Sequence, residues 1–532
     1  MAEIVVTPRP RPWRRTIEAP TLAALGATVV GVVLRVWALR STALGAFNGD
    51  EAVTGVMVRR ILAGQNHYVF FAGQQYNGSL EQYLQAGMYW LFRLPQNPVT
   101  LRYPQIALTA AATWLVYLVG CRLLARPWAA VVAAVLFAFG PYWTLARGIG
   151  TFGAYPSLIV VGLVGLYCAL RVGEPGRSGM FAAAGLGFSA GLIAWLGLSG
   201  VELLIPAGFL AAPYLFRRWQ LWMAAVPGLV VGMLPLLVWS FRNQTFALFD
   251  AGPPIAPSTV WQRLRNLFDP VVREFIGVAW TNGSPGWPLV LQYLAVAGLG
   301  LGYIVAVVRR RAGILQMLRF RKAGWTPFDA LLLSVPVVVV IYGASKWAWV
   351  SAEPRYLFSF SPVLVWCLAA AWPQRPSVAR AVAVIAGAAV FAATSVTMLA
   401  NRPYVPAAHS LADVDAASRY LRSSGQGFGY ADYWTAMPLL YIGGGDIAVA
   451  PLSAGRTKFP AVTASVDQAD DFFYAATGPS STAKFGAAWL KNVLRAHQVT
   501  FHEVRFGRVV VLDQLEPALK PWELGIGTPP SQ

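Results

Sequence analysis

The sequence predicts a polytopic α-helical membrane protein followed by a C-terminal soluble α/β domain. Three observations carry that prediction. Of the 532 residues, 56% are hydrophobic and only 12% are charged, whereas soluble domains carry about 25% charged residues. Apolar segments of about 20 residues, the length that spans a hydrocarbon core, recur as far as residue 399. From Asn401 onward the composition turns polar enough for water.

The apolar segments lie near 21–40, 103–121, 127–145, 156–171, 179–196, 200–216, 221–241, 287–308, 327–345, 355–372 and 378–399, about eleven crossings in all. The basic start, Arg9-Pro-Arg11-Pro-Trp-Arg14-Arg15, followed by the apolar run Thr21 to Trp37, also fits a signal peptide. No small-residue cleavage site follows it, so it reads as a retained first helix. The break at Leu196–Gly200 is compatible with a re-entrant turn.

Lysine and arginine placement sets the orientation. With a cytoplasmic N-terminus, the inside loops hold Arg122/Arg126, Arg171/Arg177, Arg217/Arg218, Arg375/Arg380 and the run from Arg309 to Lys322. The C-terminal domain then faces outward, as expected for a multi-pass protein of the bacterial cytoplasmic (inner) membrane. The net charge of +19 is thus largely loop charge, and no nucleic-acid partner is expected. Cys121, Cys168 and Cys367 lie in or beside apolar segments without paired spacing, so they read as small buried hydrophobes. Four histidines and no HExxH leave no basis for a histidine-built zinc site.

Two domains follow, a transmembrane domain over 1–400 and an extracytoplasmic α/β domain over 401–532. In the second, residues 414–422 have helical spacing, and 427–430, 447–450 and 508–512 read as strands. The first outer loop, 41–102, is too long and aromatic for a plain connector. It contains two helices, about 50–63 and about 80–92, both expected at the membrane surface with an apolar side toward lipid or the bundle. Asn48-Gly49-Asp50-Glu51 fits a capping box with Asn48 as cap, and Ser79-Leu80-Glu81-Gln82 fits a second. Acids in a first helical turn also complement the helix dipole. Capping suits Glu51 better and leaves Asp50 available for chemistry. The segment from Phe70 to Glu81 is either a polar pocket for a sugar or a turn decorated with polar side chains.

Several motifs in order resemble the membrane glycosyltransferases of the protein O-mannosyltransferase family and its bacterial relatives, including the aminoarabinose transferases that modify lipid A. They are Gly49-Asp50-Glu51-Ala52-Val53, Gln74-Gln75-Tyr76-Asn77-Gly78-Ser79-Leu80-Glu81, Leu101-Arg102-Tyr103-Pro104 and Glu353-Pro354-Arg355-Tyr356-Leu357. Tyr430-Ala431-Asp432-Tyr433-Trp434 resembles the outer domain of some bacterial members. The resemblance implies a C-type glycosyltransferase fold, a sugar donor linked to polyprenyl phosphate, transfer at the outer face with inversion, and Asp50 as catalytic base beside Glu51. Family members often have a second acid in the loop after the third crossing. Here that loop, 146–156, has no carboxylate, which leaves the acceptor open.

Candidate cations for the donor phosphate are Arg102, Arg147, Lys346 and Arg355, each of which also fits a snorkelling role at a helix end. Tyr76, Glu81, Tyr155, Glu202 and Tyr356 are candidates for contact with acceptor or sugar. Tyr433 and Trp434 fit either glycan stacking or core packing. The expected partners are a polyprenyl-phosphate-linked sugar, membrane lipids, and a lipid, glycan or protein acceptor. No cofactor is required, although a divalent cation is compatible. The competing functions are a lipid or glycan transporter (flippase) and a glycan ligase. A transporter is disfavoured by the lack of internal repeats and by acids that gather outside the membrane.

Overall fold

Helices dominate even where apolar segments carry internal prolines, as at Pro206, Pro213, Pro227, Pro235 and Pro336. In lipid, only internally hydrogen-bonded backbone is tolerated. The computed structural model describes residues 18–39, 47–151, 153–245, 258–279, 287–321, 324–345, 354–370, 410–452, 455–478, 481 and 483–527. The expected eleventh crossing at 378–399, and with it Lys346 and Glu353, lies outside them.

The chain opens with α1 (Ala19–Ala38). The first loop carries α2 (Gly49–Leu62), the hairpin β1 (Phe70–Phe71) and β2 (Gln74–Gly78), and α3 (Leu80–Phe92). The bundle continues through α4 (Tyr103–Leu124), α5 (Pro127–Phe139), α6 (Tyr142–Arg147), α7 (Tyr155–Ala169), α8 (Arg177–Leu196), α9 (Val201–Leu215) and α10 (Trp222–Asn243). Next come α11 (Val260–Asn266), α12 (Val272–Phe275), α13 (Leu289–Leu318), α14 (Pro327–Ala344) and α15 (Ser361–Ala370). Among the described residues, seven helices are long and apolar enough to cross a membrane. The protein is a multi-span membrane protein.

Some elements differ from expectation. The third apolar segment stops as a helix at Phe139 and resumes as α6, because Pro141 lacks a backbone N–H and disfavours helical backbone at Gly140. The tenth begins with a 3-10 turn over Pro354–Phe360, and its α-helix starts only at Ser361. Ser79 is no side-chain cap for α3: its hydroxyl donates to the Tyr68 carbonyl instead, at 2.5 Å. The polar segment after Phe70 is a two-stranded hairpin and not a bare turn.

Two glycine pairs let α8 and α10 cross closely. A Cβ on Gly187 or Gly191 would overlap carbonyls of α10, and one on Gly228 or Gly232 would overlap carbonyls of α8. Small residues spaced by four on both helices bring membrane backbones into contact.

The C-terminal unit contains α16 (Leu411–Ser423), β3 (Phe428–Ala431), α17 (Tyr433–Ile442), β4 (Ala448–Pro451), α18 (Pro460–Gln468), β5 (Phe473–Thr477), α19 (Ala487–Ala496), β6 (Thr500–Phe506) and β7 (Val509–Glu516). The sheet order is β4-β3-β5-β7-β6, parallel from β4 to β5 and antiparallel at β7 and β6. Strand alternation divides the side chains between two layers. Tyr430, Tyr474, Val510 and Leu512 pack with Leu490 and Leu494 of α19. Ala431, Phe473, Ala475, Val509 and Val511 pack with α16 and α17.

That second layer does not end at the C-terminal unit. Phe47, Val53, Val56 and Met57 belong to the same buried cluster. The apolar side of α2 therefore faces α17, where the sequence predicted lipid or the bundle. Its glycines explain the fit. A Cβ on Gly49 would lie 3.1 Å from the Tyr433 ring and 3.2 Å from the Trp434 ring, and one on Gly55 would run into the Tyr441 ring.

Candidate active site

The first turn of α2 is set by local hydrogen bonds. Asn48 Oδ1 accepts from the Asp50 backbone N–H at 2.8 Å, and Glu51 Oε2 accepts from the Asn48 N–H at 3.3 Å. The capping box expected there is present. Successive residues of a helix point about 100° apart, so the two acids face different surroundings.

Glu51 points inward. Its carboxylate accepts from Arg102 Nε at 2.8 Å and Nη2 at 2.7 Å, and from the Thr151 N–H at 3.3 Å. Both members of the pair are buried. This two-pronged contact uses the planar guanidinium fork and ties α2 to the start of α4 and to the turn before α7. Arg102, expected near donor phosphate, is thereby turned onto Glu51. Glu51 is an internal brace as well as a cap.

Asp50 is half-buried and faces the C-terminal unit. Its Oδ1 accepts from Tyr433 Oη at 2.5 Å. Lys458 stands behind this contact, donating to the Ala72 carbonyl at 3.1 Å. Its ammonium lies 4.8 Å from the Phe71 ring centroid and 5.6 Å from that of Tyr433. Burial lowers the Lys458 pKa, and the nearby Asp50 charge opposes that shift. Burial followed by the Asp50 charge pushes the Tyr433 phenol well up, so it stays protonated and remains a donor.

Around Asp50 gather three of the expected tyrosines and two of the expected arginines. Tyr76, on β2 and 45% exposed, has its pKa raised by burial and then by Asp50 and Tyr155, with Arg355 acting oppositely. Tyr356 lies within electrostatic reach of Arg355, Tyr155, Tyr76 and Arg147. The Arg147 guanidinium sits 4.7 Å from the Trp143 ring centroid and 5.2 Å from that of Tyr155. The Arg355 guanidinium sits 5.7 Å from the Tyr356 ring centroid. One acid, a tyrosine wall and a cationic rim thus come from α2, β2, α6, α7 and the Pro354–Phe360 turn.

Two other expected acids are elsewhere. Glu81 is buried, accepting from Gln105 Nε2 at 2.8 Å and from the Ser157 N–H and hydroxyl at 2.9 and 2.8 Å. Burial raises its pKa to about 7, and those hydrogen bonds oppose the rise. With both oxygens engaged inside the protein, Glu81 joins α3 to α4 and α7 instead of meeting an acceptor. Glu202 is buried at the start of α9, with the Phe360 backbone N–H at its carboxyl. It stands behind the turn that carries Arg355 and Tyr356.

Sequence reasoning passed over Lys458 and left Tyr433 between stacking and packing. No local signal marks Lys458. For Tyr433 the available signal was its place in Tyr430-Ala431-Asp432-Tyr433-Trp434, directly after a strand. Among the described residues, no group of three or more His, Cys, Asp or Glu is arranged to hold a metal ion.

A second feature adjoins the cluster. A groove of about 1290 Å³ runs between α13, α14 and α15. Arg122, Arg126, Arg309 and Arg310 line it in one region, and Leu357 and Phe360 of the turn carrying Arg355 line it in another. The remaining wall is mostly leucine, valine and glycine.

No protein-family model matches the chain, and no curated protein is significantly similar in sequence. Similarity appears at the level of structure. The chain is similar to ArnT, an aminoarabinose transferase, from Cupriavidus metallidurans in the apo state. The TM-score is 0.60 at 15% identity, covering 93% of this chain and 98% of that one. The same protein bound to undecaprenyl phosphate aligns with a TM-score of 0.48 at 14% identity, with the same coverage. The Archaeoglobus fulgidus oligosaccharyltransferase, in complex with zinc and sulfate, aligns at 0.46 and 13% identity over 86% of this chain and 68% of that one. The fold, a membrane helix bundle with a C-terminal sheet-containing unit, is the C-type glycosyltransferase fold that the motif resemblance implied.

Proposed function

We propose that this protein is a membrane glycosyltransferase that moves a monosaccharide from a polyprenyl-phosphate donor to an acceptor hydroxyl, with inversion, and that Asp50 is the general base. The observation that carries the reading is the gathering of Asp50, three tyrosines, Arg147 and Arg355 at one end of the bundle, beside an apolar groove, in the fold shared with ArnT. The positive-inside bias of the loops supports placing that end on the outer face of the membrane.

Each part has a physical task. The polyprenyl tail is apolar and fits a leucine- and valine-lined groove open to lipid. The donor phosphate meets Arg355 and Arg147 where the groove reaches the Pro354–Phe360 turn. Tyrosine hydroxyls supply hydrogen bonds to the sugar while their rings exclude water. The acceptor hydroxyl donates to the free side of Asp50, and its oxygen attacks the anomeric carbon. As that C–O bond forms, the bond from the anomeric carbon to the phosphate oxygen breaks, and polyprenyl phosphate leaves with the electron pair. The acceptor proton passes to Asp50. Guanidinium groups placed where charge grows on the leaving phosphate lower the barrier. Attack from the face opposite the phosphate inverts the anomeric centre.

The test is Asp50→Asn in membranes of cells expressing the full chain, with free polyprenyl phosphate released from endogenous donor lipids measured by mass spectrometry. Release is expected to fall by at least 100-fold, as loss of a general base commonly gives. Release at the normal rate would remove Asp50 from that role.

A further inference from the structure

We propose that the C-terminal unit is a working part of the active site and that Tyr433 is a positioning residue. Its hydroxyl holds Oδ1 of Asp50 and leaves Oδ2 for the acceptor. The inference rests on the assignment of Asp50 as base and goes beyond it, because it makes a residue from the far end of the chain a condition for that base to work.

The geometry is specific. Tyr433 and Asp50 are 383 positions apart, yet the phenol donates to Oδ1 at 2.5 Å. Asp50 Oδ2 accepts no hydrogen bond from the described residues. The phenol is itself held on several sides. Asp432 caps α17 by accepting from the Trp434 N–H at 3.0 Å, which fixes the backbone at Tyr433. The ring lies against Gly49 and Gly455, where a Cβ would come within 3.1 Å and 2.6 Å of it. Trp434 meets it edge-on at 5.0 Å and 77°, and the Lys458 ammonium covers it. Among the described residues, Tyr433, Tyr76 and Lys458 lie within electrostatic reach of Asp50, Tyr155, Tyr356, Arg147 and Arg355 stand beyond Tyr76, and Glu51 is next along the helix.

A carboxylate on a short side chain turns about its own bonds unless one oxygen is held. Fixing that rotation places the second oxygen before the acceptor arrives, which is how orientation contributes to rate. A hydrogen bond to a charged group is one of the stronger ones, so its loss reads as about tenfold or more in turnover.

The experiment uses the full chain in membrane vesicles titrated with a polyprenyl-phosphate-sugar extract from the same cells, reading released polyprenyl phosphate per folded protein. Tyr433→Phe keeps the ring and removes the donor. It is expected to keep the thermal midpoint, lower kcat about tenfold or more, leave the donor KM unchanged, and move the acid limb of the pH–rate profile to higher pH. Replacing Tyr433 by 3-fluorotyrosine strengthens the donor with almost no change of shape, so the acid limb should move to lower pH. Tyr430→Phe, which removes a buried hydroxyl bonded to Asp467 in the same unit, should leave kcat and the profile unchanged. The proposal is overturned if the acid limb moves in neither Tyr433 variant, or if Tyr430→Phe lowers kcat as much as Tyr433→Phe. An active Asp50→Asn enzyme is a separate result, which overturns the base assignment itself.

Discussion

Arg102 grips Glu51 through Nε and Nη2 at 2.8 and 2.7 Å, with both side chains almost wholly withdrawn from solvent. The same helical turn carries Asp50, so this anchor also fixes the backbone from which Asp50 projects. Removing either partner breaks a buried two-pronged ion pair, which costs about 3–5 kcal/mol. Glu51→Gln and Arg102→Ala are therefore each expected to lower the thermal midpoint steeply. The double variant Glu51→Leu/Arg102→Met should recover much of the loss. Midpoints of the four proteins in detergent check this, and additive losses would show that the pair does not act as a unit.

Arg147 and Arg355 make a different prediction, since they face the tyrosine cluster from which Arg102 is turned away. Arg355→Ala is expected to raise the donor KM about tenfold or more and to weaken binding of undecaprenyl phosphate used as a probe. The thermal midpoint should change little. Arg355→Lys should restore only part of the binding, because an ammonium lacks the planar fork. Titration of the purified variants with the probe lipid checks both statements. Unchanged probe affinity in Arg355→Ala would remove it from the phosphate site.

How much of this was legible in the sequence follows the distance over which each interaction acts. The cap at Asn48, the turn of α2 and seven long apolar helices rest on local signals, and they are present among the described residues. The brace between Glu51 and Arg102 links residues 51 positions apart, and the contact between Tyr433 and Asp50 links residues 383 apart. No periodicity encodes such pairings. The destination of α2 is hidden from the sequence for the same reason. Its stripe of Val53, Val56 and Met57 signals burial but not the partner, which is α17. Ser79 to Gln82 matched a capping pattern, yet tertiary partners claimed both ends of it: Ser79 donates to the Tyr68 carbonyl, and Gln82 Nε2 reaches Thr54 Oγ1 at 3.5 Å. The edge strand Thr500–Phe506, half exposed and mixed in polarity, lacked the apolar run that marked Val509–Leu512.

Glu81 also predicts a pH dependence. Burial raises its folded-state pKa to about 7 from the ordinary 4.5, so the folded protein binds more protons than the unfolded chain between those values. Stability then falls as pH rises through that window and levels off above it. The thermal midpoint is expected to be highest at the acid end, other groups apart. Glu81→Gln, which stays neutral, should remove this component and raise the midpoint at pH 8 relative to wild type. Midpoints of both proteins from pH 4.5 to 8 test it, and parallel curves would sink the idea.

Gly55 supplies a test of the seam between the first loop and the C-terminal unit. The Tyr441 ring occupies the space a Cβ would need, and Arg59 fastens the same corner by donating to the Tyr441 and Gly444 carbonyls at 2.8 and 3.2 Å. Gly55→Val forces α17 away from α2 because packed interiors have little room to yield. The displacement should expose α17 to limited proteolysis and lower turnover by separating Tyr433 from Asp50, although neither residue is altered. Tyr441→Ala in the Gly55→Val background opens room for the added side chain and should restore part of both properties. Proteolysis and turnover recovering together would tie activity to this seam, whereas turnover unchanged in Gly55→Val would separate them.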